Sequence, residues 1–398
     1  MQPVTRARVA VSVTFLIHGL VVGNWLARIP AVKISLGLNA LQLGVSLLGA
    51  AVGAVAAMPF TARLCGRYGS RIVTRVSSLL FCASLPLLAV VSWKWLLGPA
   101  LVFYGAAAGS MDVSMNTQGA DVERARSRPT MSSFHALFSI GGMLGAAIGG
   151  FAAEHAISVR LHLSVAAVAL AIPALLCGPW LMKLRDEPRQ TTFRLGPLHG
   201  ILVGLSVISF CILLGEGAMA DWSAIYLSET PGVSLGVAAL GYAVFSAAMA
   251  AGRLAGDAVT ARIGRVNVVR WGSLLAAAGL AAALIAGTEL AAMIGFACVG
   301  AGFSSIFPNM CSAAAAQPNL RPEIGIATVS ATGYLGFLVG PPLIGLLAEF
   351  AGLRIALLLV VMLSGLAAML SRAARDVAPP QSPGYKERSG NDVSLRPR

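Results

Sequence analysis

The chain has 398 residues, of which 57% are hydrophobic and only 11% are charged, and its formal net charge is +13. Soluble proteins carry about 25% charged residues, so this composition excludes a water-soluble globular protein and predicts a membrane protein. Most of the basic residues lie between apolar runs, which indicates membrane topology and contacts with anionic lipid headgroups and argues against binding of nucleic acid.

Twelve apolar runs are long enough to cross a bilayer as helices, for which about 20 residues suffice. Only helices satisfy every backbone group in lipid without closing a barrel, and the runs are too long for barrel strands, so the sequence predicts an all-α membrane protein. The predicted spans are 9–28, 40–62, 72–92, 96–119, 131–153, 161–182, 199–221, 235–259, 268–287, 290–312, 325–348 and 354–371.

A charged segment with two prolines, 183-KLRDEPRQTTFRLGPL-198, separates the first six predicted spans from the last six. We expect it to be a cytoplasmic linker between an N-terminal six-helix bundle, residues 1–182, and a C-terminal six-helix bundle, residues 199–375. Residues 376–398 contain PPQSPG and scattered charges, and they are predicted to form a disordered cytoplasmic tail.

The 29 basic residues are distributed unequally between the two sides of the membrane. An even number of spans places both termini on one side, and most Lys and Arg residues fall in the segments on that side. The segments on the other side contain only Arg28, Lys33, Lys94, Arg160 and Arg354. Because basic segments stay in the cytoplasm, both termini are predicted to be cytoplasmic, in a bacterial inner membrane.

The two sets of six spans resemble each other at a nearly constant offset of 195 to 197 residues. The matches fall in corresponding spans and loops of the two halves. They pair Gly141, Gly145, Gly150 and Glu154 with Gly336, Gly340, Gly345 and Glu349, and Asn24-Trp25 with Asp221-Trp222. Duplicated halves of this kind are the architecture of alternating-access transporters.

Two basic segments carry a resemblance to a known family. They follow the second and eighth predicted spans and read 62-ARLCGRYGSRIVTR-75 and 257-DAVTARIGRVNVVR-270. Together with the two sets of six helices, they resemble the major facilitator superfamily. The resemblance implies two pseudo-symmetric six-helix bundles and a gating role for five residues of these segments, namely Arg67, Gly69, Asp257, Arg262 and Gly264.

The fourth predicted span contains 110-SMDVSMNTQGADVE-123, which resembles the corresponding helix of the fucose permease branch. The whole chain resembles the YbjJ-like inner-membrane transporters of that branch. The resemblance implies that Asp112 takes part in proton coupling, and Asn116 lies one helical turn away on the same polar stripe. The alternative roles for Asp112 are a structural hydrogen bond between the fourth and fifth helices and direct contact with the solute alone.

Two more ionisable residues are predicted to act in proton coupling. An ionisable side chain at bilayer depth costs at least about 2.5–3.5 kcal/mol, so it normally faces a cavity or has a partner. Glu216 lies between two glycines of the seventh predicted span, where it either binds a solute or a proton or pairs with an arginine of another helix. His135, near the cytoplasmic end of the fifth predicted span, is either a proton relay or a locally bonded side chain.

Several polar and aromatic residues are predicted to contact the solute. Asn24-Trp25 and Asp221-Trp222 occupy equivalent places near the outer ends of two spans, where an interfacial role is the alternative. Arg28 follows in the first span and either attracts anionic solutes, pairs with Asp221 or marks topology. The full set of candidate solute-binding residues is Asn24, Trp25, Asn116, Asp221, Trp222 and Asn309.

The sequence contains no phosphate-binding loop, no cluster with metal-ligand spacing and no catalytic set, so we expect neither an enzyme nor a bound metal or cofactor. It predicts a proton-coupled secondary transporter for a small organic solute, a monomer whose partners are solute, protons and membrane lipids. The family resemblance favours uptake of a sugar-like or other polar metabolite. Proton-driven export of amphipathic compounds and a non-transporting receptor or scaffold are the alternatives.

Overall fold

The computed structural model describes residues 3–126, 130–183, 200–230, 232–317, 320 and 322–375. In these ranges the chain is helical and contains no strand. Twelve helices are long and apolar enough to span a membrane, which confirms the predicted fold class, and we label them α1 to α12. Their bounds are α1 Pro3–Leu26 and Ile29–Ser35, α2 Ala40–Tyr68, α3 Ser70–Ala89, α4 Lys94–Arg126, α5 Met131–Glu154, α6 Val159–Cys177, α7 Ile201–Glu229, α8 Leu235–Ile263, α9 Arg265–Ala286, α10 Glu289–Phe303 and Ile306–Ala315, α11 Pro322–Ala351, and α12 Leu353–Ala356 and Leu358–Met369.

Most of the spans extend beyond the apolar runs that predict them. Helix α4 was expected over 96–119 and runs from Lys94 to Arg126, and α7 was expected over 199–221 and runs from Ile201 to Glu229. The extra turns of α4 are rich in polar side chains, which a helix end carries without cost once it leaves the hydrocarbon core, whereas those of α7 include the buried residues Trp222 and Ile225. The predicted tail and the predicted linker, except Lys183, lie outside the described residues.

Prolines explain the breaks in two of the helices. Proline has no backbone N–H and leaves the carbonyl four residues earlier without its helical partner. Pro30 lies four residues after Leu26, where the first part of α1 ends. Pro308 lies four residues after Ser304, which follows the last residue of the first part of α10. Both breaks are therefore built into the sequence.

Two equivalent one-residue turns show the symmetry of the halves. Gly69 joins α2 to α3 with φ 84° and ψ 143°, and Gly264 joins α8 to α9 with φ 77° and ψ 156°. Residues with a side chain rarely adopt this backbone conformation. The family segments that contain these glycines thus require them for the turn.

Close backbone contacts inside each half follow the same symmetry. A Cβ atom on Gly105 of α4 would collide with the backbone carbonyl of Ala50 in α2, and one on Gly300 of α10 would collide with that of Phe245 in α8. Both pairs are related by 195 residues. Small residues allow helices to approach closely within a membrane, so each half packs as a tight bundle.

The two halves meet through α5 with α8 and α2 with α11. Because the spans alternate in direction, the first residue of α1 and the last residue of α12 lie at the same end of the molecule. We call this the proximal end, and the opposite end the distal end. The interface between the halves positions the site described next.

Candidate functional site

Two equivalent polar contacts join the halves at the distal end, and we call them the helix-end contacts. Asn39 precedes α2, and its Nδ2 donates a hydrogen bond to Oε1 of Glu349, near the end of α11, at 3.1 Å. Ser234 precedes α8, and its hydroxyl donates to Oε2 of Glu154, the last residue of α5. The two contacts are related by an offset of 195 residues at both partners.

The partners of the glutamates also cap their own helices. Oδ1 of Asn39 accepts a hydrogen bond from the backbone N–H of Gln42 at 2.8 Å. The hydroxyl oxygen of Ser234 accepts one from the backbone N–H of Val237 at 3.3 Å. Asn and Ser are favoured at this position because helix N-termini have N–H groups without helical partners. Each capping residue therefore serves its own helix and the other half at once.

Other contacts close the distal end further. Lys33 at the end of α1 forms an ion pair with Glu229 at the end of α7. A Cβ atom on Gly44 of α2 would lie 2.5 Å from the carbonyl oxygen of Pro341 in α11. The halves thus meet here through both side chains and backbone.

A partly buried arginine links the halves near the middle of the molecule. Arg253 of α8 donates from Nη1 to the hydroxyl of Ser139 in α5 at 2.9 Å. Its Nη2 lies 3.3 Å from Oε1 of Glu216 in α7. The side chains of Arg253 and Glu216 are 18% and 19% exposed, so the pair is largely enclosed but remains accessible.

Polar neighbours surround this arginine. Ser246, two turns before Arg253 in α8, donates to the backbone carbonyl of Ser139 at 2.8 Å. Tyr242 interacts electrostatically with both Glu216 and Arg253, and His135 interacts with Arg253. The predicted proton-coupling residues Glu216 and His135 are therefore brought together around Arg253.

Asp112 of α4 is partly exposed and faces the same interface from the N-terminal half. Asn116 donates from Nδ2 to Oδ1 of Asp112 at 3.0 Å and to its backbone carbonyl at 2.9 Å. The carboxyl group also interacts electrostatically with Tyr334 of α11, in the other half. Its described partners are thus an amide and a phenol, and the described part of the chain places no cation within ion-pair distance.

Three of the predicted solute-binding residues are covered by protein in this conformation. Asn24 is 2% exposed, Trp25 is 2% exposed and Trp222 is fully buried. The amide of Asn24 donates to the carbonyl of Leu20, and its Oδ1 bonds to Nε2 of His162, both at 2.8 Å. Contact of Asn24, Trp25 and Trp222 with a solute remains a prediction.

The remaining predicted solute-binding residues are more dispersed. Asp221 is partly exposed and interacts electrostatically with Tyr104 of α4 and Tyr242 of α8, so it lies between the halves. Asn309 is buried and donates to the hydroxyl of Thr260 at 3.1 Å and to the carbonyl of Ser305 at 2.8 Å. Asp221 is thus better placed than Asn309 to meet a solute between the halves.

The predicted gating residues lie away from this centre. The guanidinium carbon of Arg67 lies 5.2 Å from the centre of the Tyr68 ring. Asp257 and Arg262 are exposed, and Gly69 and Gly264 form the turns between helices described above. These residues are at or toward the proximal end, and their gating role remains a prediction.

Arg253, Ser139 and the helix-end contacts were not among the residues and contacts that the sequence predicts for the site. A signal for Arg253 was present, because a lone basic residue inside an apolar span points to a functional site. Ser139 has no such signal, since a serine can bond its own helix in lipid. For the helix-end contacts, the shared offset of Asn39 with Ser234 and of Glu154 with Glu349 was the available signal.

Comparison with known proteins shows the family. The model of the Major Facilitator Superfamily matches residues 11–315 and 205–398. An uncharacterized MFS-type transporter of Yersinia pestis is 36% identical over 375 residues, which are 94% of this chain and 97% of that protein.

Solved structures of low sequence identity share the fold. A D-xylose-proton symporter has a TM-score of 0.74 at 16% identity, over 92% of this chain and 97% of that chain. An inward-facing and occupied bacterial homolog of the lysosomal transporter Spinster has a TM-score of 0.73 at 14% identity, over 92% and 95%. The chain is therefore an integral membrane protein and belongs to the major facilitator superfamily, whose members are transporters of small-molecule solutes and not enzymes.

Proposed function

We propose that the chain is a secondary transporter that moves a small polar organic solute, coupled to protons, across a bacterial inner membrane by alternating access. The observation that carries the proposal is Arg253, which contacts Glu216 in its own half and Ser139 in the other half. Charged groups at membrane depth are costly and mark solute and ion pathways. A charge at the interface of two rocking halves is the expected position of such a pathway.

The contacts between the halves indicate which entrance to the site is closed in this conformation. The helix-end contacts and the ion pair of Lys33 with Glu229 join the halves at the distal end. With both termini in the cytoplasm, as the basic residues indicate, the distal end faces the periplasm. The periplasmic entrance is then closed in this conformation, and the distal contacts must break for the site to open outward.

Asp112 is the proposed proton-coupling residue. It faces the other half, and Asn116 is its hydrogen-bond partner. A carboxyl group with an amide partner and no described cation gains or loses a proton with the water that reaches it. Alternating access then exposes Asp112 to the two compartments in turn. Glu216 and His135 are proposed to share in proton coupling.

Uptake of a sugar-like or other polar metabolite is the proposed direction. The resemblance to the YbjJ-like part of the fucose permease branch favours it, and one of the proteins with this fold is a D-xylose-proton symporter. The tyrosines Tyr104, Tyr242 and Tyr334 near the acids of the interface supply the ring faces and hydroxyls that suit a polar solute.

The test uses proteoliposomes that contain the purified protein and a pH-sensitive dye. D-Xylose and a panel of sugars and sugar acids are added, and the solute-driven change of internal pH is recorded. Asp112→Asn is expected to abolish this change while solute exchange across equal pH persists, and Glu289→Gln, which alters an exposed carboxylate, is expected to leave both unchanged. Proton movement that persists in Asp112→Asn would refute the coupling role. A protein that moves no solute in either assay would support the receptor or scaffold alternative.

A further inference from the structure

We propose that Arg253 is the solute-binding cation of this transporter, and that it takes an anionic group of the solute, namely a carboxylate. When no solute is bound, the carboxylate of Glu216 contacts the Arg253 guanidinium in place of the solute carboxylate. This inference rests on the proposed function and names the chemical class of its solute. It follows from the partners, the accessibility and the charge of the Arg253 guanidinium.

The contact between Arg253 and Glu216 leaves hydrogen-bonding capacity unused. A guanidinium group has five N–H donors in a planar fork that fits both oxygens of a carboxylate, with N–O distances of about 2.7–2.9 Å. Glu216 contributes one oxygen at 3.3 Å, and Ser139 contributes a neutral hydroxyl. A solute carboxylate that binds the fork through both oxygens makes shorter and better aligned contacts than Glu216 does.

Arg354 shows what a committed guanidinium looks like in this protein. It donates to the backbone carbonyls of Leu284 and Ile285 at 2.5 and 2.6 Å. Backbone carbonyls of packed helices cannot move aside, whereas both described partners of Arg253 are side chains. Of the two arginines, Arg253 is therefore the one whose partners can be exchanged.

Arg253 is also accessible to a solute and lies at the interface between the halves. Its side chain and that of Glu216 are partly exposed between the halves. A solute held by the fork lies next to Ser139 and thus touches both halves. Recognition of the solute is in this way joined to the interface that moves.

A bound solute would leave Glu216 without its partner. When a solute carboxylate takes the fork of Arg253, Glu216 loses its cation, and an enclosed unpaired carboxylate is strongly unfavourable. The described groups around it are Tyr242 of α8 and Tyr334 of α11, which both interact with Glu216, and His135 of α5 beside Arg253. None of them is a second fixed cation, so Glu216 competes with the solute for Arg253.

The experiment replaces the solute by the smallest carboxylate. Glu216→Ala leaves Arg253 without its carboxylate, and acetate is added to the purified variant in detergent at constant sodium chloride. We expect a saturable rise of about 3 °C in the melting temperature, since a ligand that binds only the folded state stabilises it. Acetamide, which has the same shape and no charge, is expected to give no rise.

Two comparisons make the result decisive. The double variant Glu216→Ala with Arg253→Gln is expected to lose the response to acetate, and wild type is expected to respond more weakly than Glu216→Ala because Glu216 competes. If Glu216→Ala gives no folded protein, Glu216→Gln replaces it. An absent acetate response, or an equal response in the double variant, overturns the inference. Failure of all transport assays would instead count against the proposed function, because acetate binding to Arg253 needs no transport.

Discussion

The contact of α5 with α8 and the contact of α2 with α11 are equivalent by symmetry, but they differ in depth. Both begin at the distal end with a glutamate and a helix-capping residue, Glu154 with Ser234 and Glu349 with Asn39. The first contact then continues inward to Ser139 and Arg253. In the second, the position 195 residues before Arg253 is occupied by Met58.

This difference separates two tasks within one duplicated fold. The surface contacts exist twice, because closing an entrance requires both edges of the interface to meet. Among the described residues, the pair of Arg253 with Glu216 occurs in one half only, as expected if the proposed solute needs different groups on its two sides. In the proposed mechanism, duplication supplies the two halves that move and divergence of one half supplies the recognition.

The largest expected effect comes from removing the central cation. Arg253→Gln leaves Glu216 enclosed without an opposite charge, and breaking such a pair is strongly destabilising to the bound state. We expect the initial rate of solute uptake to fall by a factor of about 100, which corresponds to about 2.7 kcal/mol. Met58→Gln at the equivalent position of the other half is the matched control, and it should retain most of the rate. A comparable loss in both variants would remove the asymmetry that we infer.

The halves are expected to differ at Arg253 and Met58 but to behave alike at the one-residue turns of Gly69 and Gly264. Gly69→Ala and Gly264→Ala place a side chain in a backbone conformation that costs about 1–3 kcal/mol. We expect similar losses of thermal stability from the two variants, measured as melting temperatures in detergent. Gly66→Ala is the control, because a Cβ atom at this helical position has open space around it, and alanine favours a helix over glycine. A loss for only one of the two turn variants would contradict the equivalence of the halves at these turns.

The helix-end contacts are expected to have smaller and additive effects. Glu154→Ala and Glu349→Ala each remove one exposed hydrogen bond to a carboxylate, worth about 1 kcal/mol, and each should increase the outward-facing population about fivefold. In the double variant the two free-energy changes should add, since the two contacts do not share partners. Spin labels at the exposed positions Ile34 and Leu290, in a variant without native cysteines, report the distance between the halves at the distal end. An effect of one variant alone would show that a single edge controls closure.

The smallest effect is expected at the ion pair of Lys33 with Glu229. The carboxylate side chain is 44% exposed, so solvent screens the pair, and exposed pairs contribute about 0.2–1 kcal/mol. Lys33→Gln should therefore shift the same spin-label distance only slightly at low salt and not at 1 M salt. A shift as large as that of Glu154→Ala would show that this pair, and not the helix-end contacts, holds the distal end.

The sequence predicted the twelve spans because long apolar runs have one stable form in lipid. The break before Pro308 and the turn at Gly69 have local causes in the sequence, although other prolines, such as Pro59 and Pro99, lie inside continuous helices. The partners of buried polar groups were not predictable in the same way. Asn24 bonds His162, 138 positions away, and Arg253 reaches Ser139 in the other half. Such pairs depend on the rotation of each helix about its axis and on which helices become neighbours, and hydrophobic periodicity constrains neither closely enough.

Asn39 and Ser234 each cap their own helix and contact the other half, and this has a consequence for the stability of the helix ends during transport. When the distal entrance opens, each glutamate departs, yet the amide oxygen of Asn39 and the hydroxyl oxygen of Ser234 still hold the first turn of their helices. The ends of α2 and α8 thus stay wound while their neighbours swing away. In each proposed transport cycle, opening breaks one hydrogen bond at each helix-end contact and leaves the first turns of α2 and α8 capped. The distal entrance can therefore close again through the same contacts.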